Sequence, residues 1–218
     1  MSRSSRKRAL GLRGILLLVV ASCLMIAAAC TGAAFLANPG PAATSDAGRD
    51  MAGNRVELDP GAPSAEASRA DPDIDERFSV PSVGLDVPLG ALDAVDGVIV
   101  PPGFTSAYAV RNRGVPLADA ATGTVYVVMH SVRGGGVAPG NFLIDVDEGR
   151  SALSAGAEIT VGSHSYRVTG SSIVGKGELA STGSLWESVP GRLVVITCLQ
   201  KPDGSPSVDN AVITATLG

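Results

Sequence analysis

Two side chains of this sequence have the chemistry of a nucleophile and its acid–base partner, and each directly follows an apolar stretch. Cys198 follows residues 193–197, and His130 follows residues 123–129. Both stretches are typical of β-strands, so neighbouring strands would bring the thiol and the imidazole to one rim of a sheet. Such a pair forms a thiolate beside an imidazolium, which attacks a peptide carbonyl to give a thioester. The imidazole can then exchange protons with the leaving and incoming amines.

Cys198 is a lone thiol in its part of the chain, because Cys23 and Cys30 both lie in a long apolar segment near the N-terminus. In an oxidising exterior, a lone thiol is either buried and inert or retained for its reactivity. The sequence leaves both interpretations open. The second histidine, His164, lies in a predicted hairpin turn, and we expect it to be a solvated surface residue.

The elements that would position these residues are short, β-branched and separated by Gly or Pro, which favours strands over long helices. A content of 27 Gly and 14 Pro with 4% aromatic residues agrees with a β-rich fold. The strand spacing suggests a closed or nearly closed barrel. The predicted strands are residues 78–83, 97–100, 123–129, 157–161, 165–174, 193–197 and 211–217, with short helical turns or loops over 141–147 and 184–188.

The N-terminal part of the chain has the pattern of a membrane anchor. Five basic residues within the first 13 positions precede residues 14–45, which carry no charge, and the apolar part of that stretch runs from Ile15 to about Leu36. This length spans the hydrocarbon layer of a bilayer, about 30 Å thick. Basic residues on the N-terminal side hold that end in the cytoplasm. We therefore expect residues 1–37 to form a basic tip and transmembrane signal-anchor, with the remainder extracellular.

Two alternatives to an uncleaved anchor remain open. The basic start and the small residues at positions 27–29 also suit a cleaved signal peptide. The sequences before Cys23 and Cys30 loosely resemble lipoprotein acylation sites, although the apolar run continues past Cys23 and the second site lacks a large aliphatic residue three positions before its cysteine.

Residues 38–77 are rich in Pro, Ala, Gly, Ser and Asp and show almost no apolar periodicity. We interpret them as a flexible, disordered extracellular linker, followed by one folded domain over residues 78–218. A chain of 218 residues accommodates this single domain and an N-terminal tail. The net charge of -4 supplies no basic field, which argues against a nucleic-acid partner.

Several phrases of the folded part together resemble the sortase family of cysteine transpeptidases, in the manner of the actinobacterial class E and F enzymes. The order His130 then Cys198, the ending Ile196-Thr197-Cys198 and the opening phrase at residues 80–89 carry this resemblance. Further phrases that fit the pattern lie at residues 98–102, 139–142 and 209–213. The match covers essentially all of residues 78–218, and the combination is more specific than any phrase alone.

The resemblance implies an eight-stranded sortase-type β-barrel with short helices, in which Cys198 is the nucleophile and His130 the acid/base. It implies cleavage of a sorting signal of LPXTG or LAXTG type between Thr and Gly, and transfer of the acyl group to an amine of the cell wall or a pilin. The implied partners are surface proteins that bear the signal, and a peptidoglycan precursor or pilin amine as acceptor. No cofactor or metal is expected, because no carboxylate cluster resembles the family's calcium site.

One departure from the family pattern concerns the arginine that sortases carry a short way after the cysteine to stabilise the tetrahedral oxyanion. No Arg follows Cys198 in this sequence. Lys201, Arg133 and Arg113 are candidate sources of the missing charge, although lysine lacks the planar fork of donors that arginine presents. The missing Arg also motivates an alternative, a catalytically weak or inactive sortase-like module that binds peptides. An L,D-transpeptidase is disfavoured, because its Ser-His-Gly-Cys-type phrase is absent.

Overall fold

The computed structural model describes residues 47–57 and 64–218, and this part of the chain is mostly β-structure with short 3₁₀ helices. The strands are β1 (Ala47–Arg49), β2 (Arg55–Glu57), β3 (Asp71–Val80), β4 (Leu85–Leu92), β5 (Ala107–Val110), β6 (Thr124–Val128), β7 (Ile144–Asp145), β8 (Arg150–Ser151), β9 (Glu158–Val161), β10 (His164–Gly175), β11 (Arg192–Leu199) and β12 (Asp209–Leu217). The 3₁₀ helices are Pro81–Val83, Leu117–Thr122, Pro139–Leu143, Leu179–Ser181 and Gly183–Trp186.

Eight of these strands close into a barrel in the order β10-β12-β11-β6-β5-β4-β3-β9. Most neighbours are antiparallel, but β6 pairs with β11 and β4 pairs with β5 in parallel. Two short hairpins, β1–β2 and β7–β8, lie outside the barrel sheet. The predicted mostly-β fold with a closed eight-stranded barrel is therefore confirmed for the described residues.

The strands of the barrel separate two apolar clusters, because successive side chains of a strand point to opposite faces. On β6, Val125 and Val127 belong to the main core, whereas Tyr126 and Val128 belong to a second cluster on the other face of the sheet. Strand β11 alternates in the same way. The second cluster lies beneath the cleft described below.

Strands β4 and β5 were not predicted from the sequence, and the predicted strand over residues 97–100 is wrong. Pro88 and Gly90 interrupt the apolar pattern of β4, and proline lacks the N–H that a central strand needs. Pro88 is tolerated because β4 pairs with β5 only from Leu89 onwards. Gly97 instead lies in a turn that is closed by an isolated bridge between Val95 and Val98, and residues 99–100 are not in a strand.

The first predicted strand of the domain, residues 78–83, is correct only as far as Val80. Pro81 begins a 3₁₀ helix over Pro81–Val83, where its fixed φ and missing N–H are acceptable. Gly84 ends that helix with a φ of 69°, in the left-handed region that favours glycine.

The predicted linker over residues 38–77 differs from the structure, because much of its described part is paired. Strand β3 begins at Asp71, and the backbone of Glu76 pairs with that of Leu89 although the polar side chains of this stretch stay exposed. Side-chain polarity therefore did not reveal the backbone pairing. Arg69 forms an ion pair with the buried Asp93, and the Ser68 carbonyl accepts a hydrogen bond from the Asp93 N–H at 2.8 Å.

A chain that begins at Phe78 is expected to unfold at a lower temperature than one that begins at Ala47. It loses the first part of β3 and leaves Asp93 with Arg111 as its ion-pair partner among the described residues. Each lost hydrogen bond contributes about 1 kcal/mol, and each kcal/mol shifts the midpoint by roughly 2–4 °C, so we expect a fall of roughly 5–15 °C. Thermal unfolding by circular dichroism measures this.

A chain beginning at Ser64 is the matched control, because it retains Arg69 and all of β3 but lacks the β1–β2 hairpin. Its midpoint should lie between those of the other two chains. Equal midpoints for the chains that begin at Ala47 and Phe78 would show that residues before 78 add nothing to the fold.

Across residues 47–57 and 64–218, the structure contains no helix whose length and apolar character would let it cross a membrane. The predicted transmembrane segment, residues 1–37, lies outside the described residues.

Candidate active site

The parallel pairing of β6 with β11 brings the two chemically competent residues to the same sheet end. Val128 pairs with Ile196, and the Met129 N–H donates to the Ile196 carbonyl at 3.2 Å. Continuing this register by two residues sets Cys198 opposite His130. Neighbouring strands lie about 4.8 Å apart, so the two backbones are adjacent here.

Cys198 and His130 lie on the face of the sheet that carries the second apolar cluster. Two residues earlier on the same strands, Ile196 and Val128 belong to that cluster. On the other side of β11, Cys198 pairs with Asn210 of the antiparallel strand β12. His130 lies two residues beyond the end of β6. With Cys198 of β11 and Asn210 of β12 it forms a polar row, hereafter the cross-strand row, next to an apolar row of Val128, Ile196 and Val212.

Hydrogen bonds tie the ends of β6 and β11 together. Ser131, the residue after His130, donates its hydroxyl to the Cys198 carbonyl at 2.6 Å. Gln200 donates its side-chain amide to both the carbonyl and the hydroxyl of Ser131, each at 2.9 Å. These bonds restrict relative movement of the two strand ends. They thereby fix the separation of the thiol-bearing and imidazole-bearing backbones.

Gly140 is required by the close approach of the loop after His130 to this strand end. The Gly140 N–H donates to the His130 carbonyl at 2.8 Å. A Cβ at position 140 would collide with the Thr197 hydroxyl and lie 2.7 Å from the His130 carbonyl oxygen. Any larger residue would therefore displace the backbone beside both Cys198 and His130.

The imidazole of His130 is oriented by a carbonyl and an aromatic ring. His130 Nε2 lies 2.8 Å from the Pro101 carbonyl oxygen, which can only accept, so Nε2 donates its proton. In the neutral ring Nδ1 is then the basic nitrogen, and the carbonyl also stabilises the imidazolium. The ring stacks on Phe104 with centroids 4.6 Å apart.

The β1–β2 hairpin supports this stacking from outside the barrel. Its Gly48 backbone lies against the Phe104 ring, and Val56 packs on the small cluster that contains Phe104. Asp50 anchors the hairpin by accepting from the Val137 N–H at 2.8 Å. This hydrogen bond, with further ones from Asn54 and Ala52, lowers the pKa of Asp50 despite the opposing effect of burial.

The cross-strand row opens into a cleft of about 1030 Å³. One side is lined by the β1–β2 hairpin and residues 98–101, and another by the loop between β10 and β11. Trp186 of that loop both lines the cleft and packs: its Nε1 donates to the Leu179 carbonyl at 2.9 Å, and its ring lies 5.1 Å from that of Tyr126. A cleft of this size accommodates a short peptide.

The charged side chains that line the cleft are all basic in the described part of the chain. They are Arg55, Arg133 and Lys176, and none of them forms an ion pair with a described residue. No described Asp or Glu lines the cleft, although the whole chain carries a net charge of -4. Among the described residues, the charged lining of the cleft is thus positive, although the chain as a whole is acidic.

The structure separates the three predicted cationic candidates. Arg133 lines the cleft with His130 and Cys198, and it also lines a neighbouring depression. Lys201 lines that depression with Asp203 but does not line the cleft. The pKa of Asp203 is lowered, first by hydrogen bonds from Ser205 and more weakly by Lys201. Arg113 does not line the cleft; its guanidinium lies 5.3 Å from the centre of the Trp186 ring. Arg55 and Lys176 were not predicted, because each reaches the cleft from an element distant in sequence.

Among residues 47–57 and 64–218, no three His, Cys, Asp or Glu side chains are grouped closely enough to hold a metal ion. His164 lies outside the cleft at the start of β10, and its Nδ1 is buried with no hydrogen bond from the described residues. It is half-buried, and not the solvated turn residue that the sequence suggested.

Comparisons with known proteins give matches to solved structures. No family model matches the sequence, and no curated protein matches it. Sortase A from Listeria monocytogenes is 17% identical, with 68% of this chain and 88% of that chain covered and a TM-score of 0.47. A lid mutant of sortase A from Corynebacterium diphtheriae is 13% identical, with coverages of 69% and 73% and a TM-score of 0.48. Sortase C-1 from Actinomyces oris is 18% identical, with coverages of 68% and 75% and a TM-score of 0.44.

Proposed function

We propose that this chain is a cysteine transpeptidase of the sortase type, which cleaves a sorting signal and transfers the acyl group to an amine. The observation that carries this proposal is the cross-strand row, in which Cys198 is held beside His130 at the floor of a peptide-sized cleft. A half-buried thiol beside a histidine whose second nitrogen is held by a carbonyl has the arrangement of an activated nucleophile.

The reaction begins when Cys198 loses its proton to His130 Nδ1. The thiolate attacks the carbonyl carbon of the scissile Thr–Gly bond, and the carbonyl electron pair moves onto oxygen. Collapse of this intermediate breaks the C–N bond, the imidazolium of His130 protonates the leaving amine, and a thioester remains on Cys198. An incoming amine then loses a proton to His130 as it attacks the thioester. The new amide forms, and the thiolate leaves.

The basic lining of the cleft favours a substrate that carries an acidic residue. Arg55, Arg133 and Lys176 lack ion-pair partners among the described residues, so a carboxylate in the cleft would gain attraction without breaking an existing pair. An exposed pair contributes about 0.2–1 kcal/mol, so one or two such pairs, worth roughly 0.6–1.4 kcal/mol in total, favour an acidic peptide over a basic one by roughly three- to tenfold. This preference should weaken as salt is added.

A peptide panel tests the function and this preference together. LPXTG and LAXTG peptides with Glu, Gln or Lys at X are incubated with the protein and a glycine-based amine, and the products are identified by mass. We expect cleaved and transferred products, with Glu faster than Lys. Arg55→Gln and Lys176→Gln should reduce the Glu preference, whereas Lys201→Gln, outside the cleft, should leave it unchanged.

Two results would overturn parts of this account. Tight binding of a peptide without any turnover would favour the alternative motivated by the missing Arg, a non-catalytic peptide-binding module. Equal rates for Glu and Lys peptides at low salt would reject the acidic preference while leaving the transpeptidase proposal intact.

We also propose that the chain is anchored in the cell membrane by its N-terminal apolar segment, with the barrel outside the cell. The uncharged stretch over residues 14–45 behind five basic residues supports this placement. Its substrates would then be surface proteins that bear the sorting signal, and its acceptor an amine of a wall precursor or a pilin.

A further inference from the structure

Asn210 lies next to Cys198, on the opposite side of Cys198 from His130. It pairs with Cys198 across β11 and β12, so both side chains lie on the same face of the sheet. Asn210 is 7% exposed and lines the cleft. Cys198 is therefore flanked by an imidazole on one strand and by a buried side-chain amide on the other.

The amide of Asn210 differs from the other side-chain amides that line the cleft. Asn54 donates to Asp50 at 3.0 Å, and Gln200 donates to Ser131. The Asn210 side chain makes no hydrogen bond with any described residue. Because Asn210 lines the cleft, its amide can donate to a hydrogen-bond acceptor that enters there.

The position of Asn210 fits an acceptor that is bonded to the Cys198 sulfur. Side chains directly opposite each other in an antiparallel pair have Cβ atoms about 4.5–5.5 Å apart. An amide nitrogen and a sulfur that project from such Cβ atoms can both contact one carbonyl group, the sulfur at its carbon and the amide at its oxygen. His130, on the far side of Cys198, remains available to the amine.

We propose that Asn210 Nδ2 donates a hydrogen bond to the oxyanion that forms when Cys198 attacks an acyl carbon. As the S–C bond forms, the carbonyl π electrons move to oxygen, and the amide dipole stabilises that charge without transferring a proton. This role rests on the proposed function of Cys198 as the nucleophile. It gives the chain an oxyanion donor although no Arg follows Cys198.

Two reactions of Cys198 separate this role from a merely structural one. Acylation by p-nitrophenyl acetate passes through an oxyanion, whereas alkylation by iodoacetamide does not. Removing one oxyanion donor costs roughly 10²- to 10³-fold in rate. We expect Asn210→Ala to slow peptide acylation by that factor and ester acylation at least tenfold, while the alkylation rate and the melting temperature stay unchanged.

Asn210→Asp is the matched variant, because it keeps the shape of the side chain but replaces the donor with a negatively charged acceptor. It should slow acylation at least as much as Asn210→Ala. The proposal is overturned if acylation by the ester is unchanged in Asn210→Ala, or if acylation and alkylation fall together. The ester does not depend on a sorting signal, so a wild-type protein that reacts with the ester but cleaves no peptide would contradict the proposed function and not the role of Asn210.

Discussion

Cys198→Ala is expected to abolish cleavage of every sorting-signal peptide and formation of any acyl-enzyme. The alanine side chain has no group that can form a bond to the acyl carbon, and Cys198 is the cysteine that the structure describes. Discontinuous peptide assays with mass analysis of the products measure the residual cleavage, which should fall below the detection limit. Cys198→Ser should be nearly as inactive, because a serine hydroxyl beside His130 does not yield the thiolate that this chemistry uses.

The fold should survive both substitutions. Cys198 is half-buried at a strand end, and the nearby hydrogen bonds from Ser131 and Gln200 do not involve its sulfur. Melting temperatures within a few degrees of wild type would show that lost activity reflects lost chemistry. Full cleavage by Cys198→Ala would remove the transpeptidase assignment.

His130→Ala is expected to lower turnover by roughly 10²- to 10⁴-fold, the usual effect of losing an acid–base group. The thiol remains present, but its proton acceptor and the donor to the leaving amine are gone. Steady-state rates with the best peptide of the panel measure the effect. Alkylation of Cys198 near neutral pH should also slow, because less thiolate forms without the neighbouring imidazole.

His164→Ala is the control for this prediction, since His164 begins β10 and does not line the cleft. This variant should retain wild-type turnover, although the loss of the partly buried imidazole ring is expected to lower its stability. If the His130→Ala protein turns over the peptide and is alkylated at Cys198 at wild-type rates, the proton transfers belong to another group.

The strands that lead to Cys198 and His130 were predictable from sequence because their signals are local. Residues 123–129 and 193–197 are stretches rich in β-branched residues, and they supply most of the adjacent strands β6 and β11 on which the proposed chemistry depends. Strand β4 was not predicted because Pro88 and Gly90 interrupt its apolar pattern. The start of β3 was not predicted because its side chains are mostly exposed and acidic, although its backbone is paired. Apolar periodicity reports which side chains are buried, and it says nothing of backbone pairing at an exposed edge.

The neighbours of His130 and Cys198 were less predictable, because they depend on contacts between distant segments. Asn210 is opposite Cys198 only through the register that the loop between β11 and β12 imposes. Arg55 reaches the cleft through a hairpin anchored by Asp50, and Lys176 through the loop after β10. The roles of His130 and Cys198 remain predictions, now supported by their adjacent placement.

The most direct test of the account is the intact mass of the protein after brief reaction with a sorting-signal peptide and quenching in acid. We predict an added mass equal to the peptide up to its Thr residue, less one water. Proteolytic mapping should locate it on Cys198, and neutral hydroxylamine should remove it as expected of a thioester. His130→Ala should accumulate the adduct more slowly, and Cys198→Ala should show none. Peptide cleavage by the wild-type protein with no adduct on Cys198, or with the same adduct on Cys198→Ala, would contradict the account.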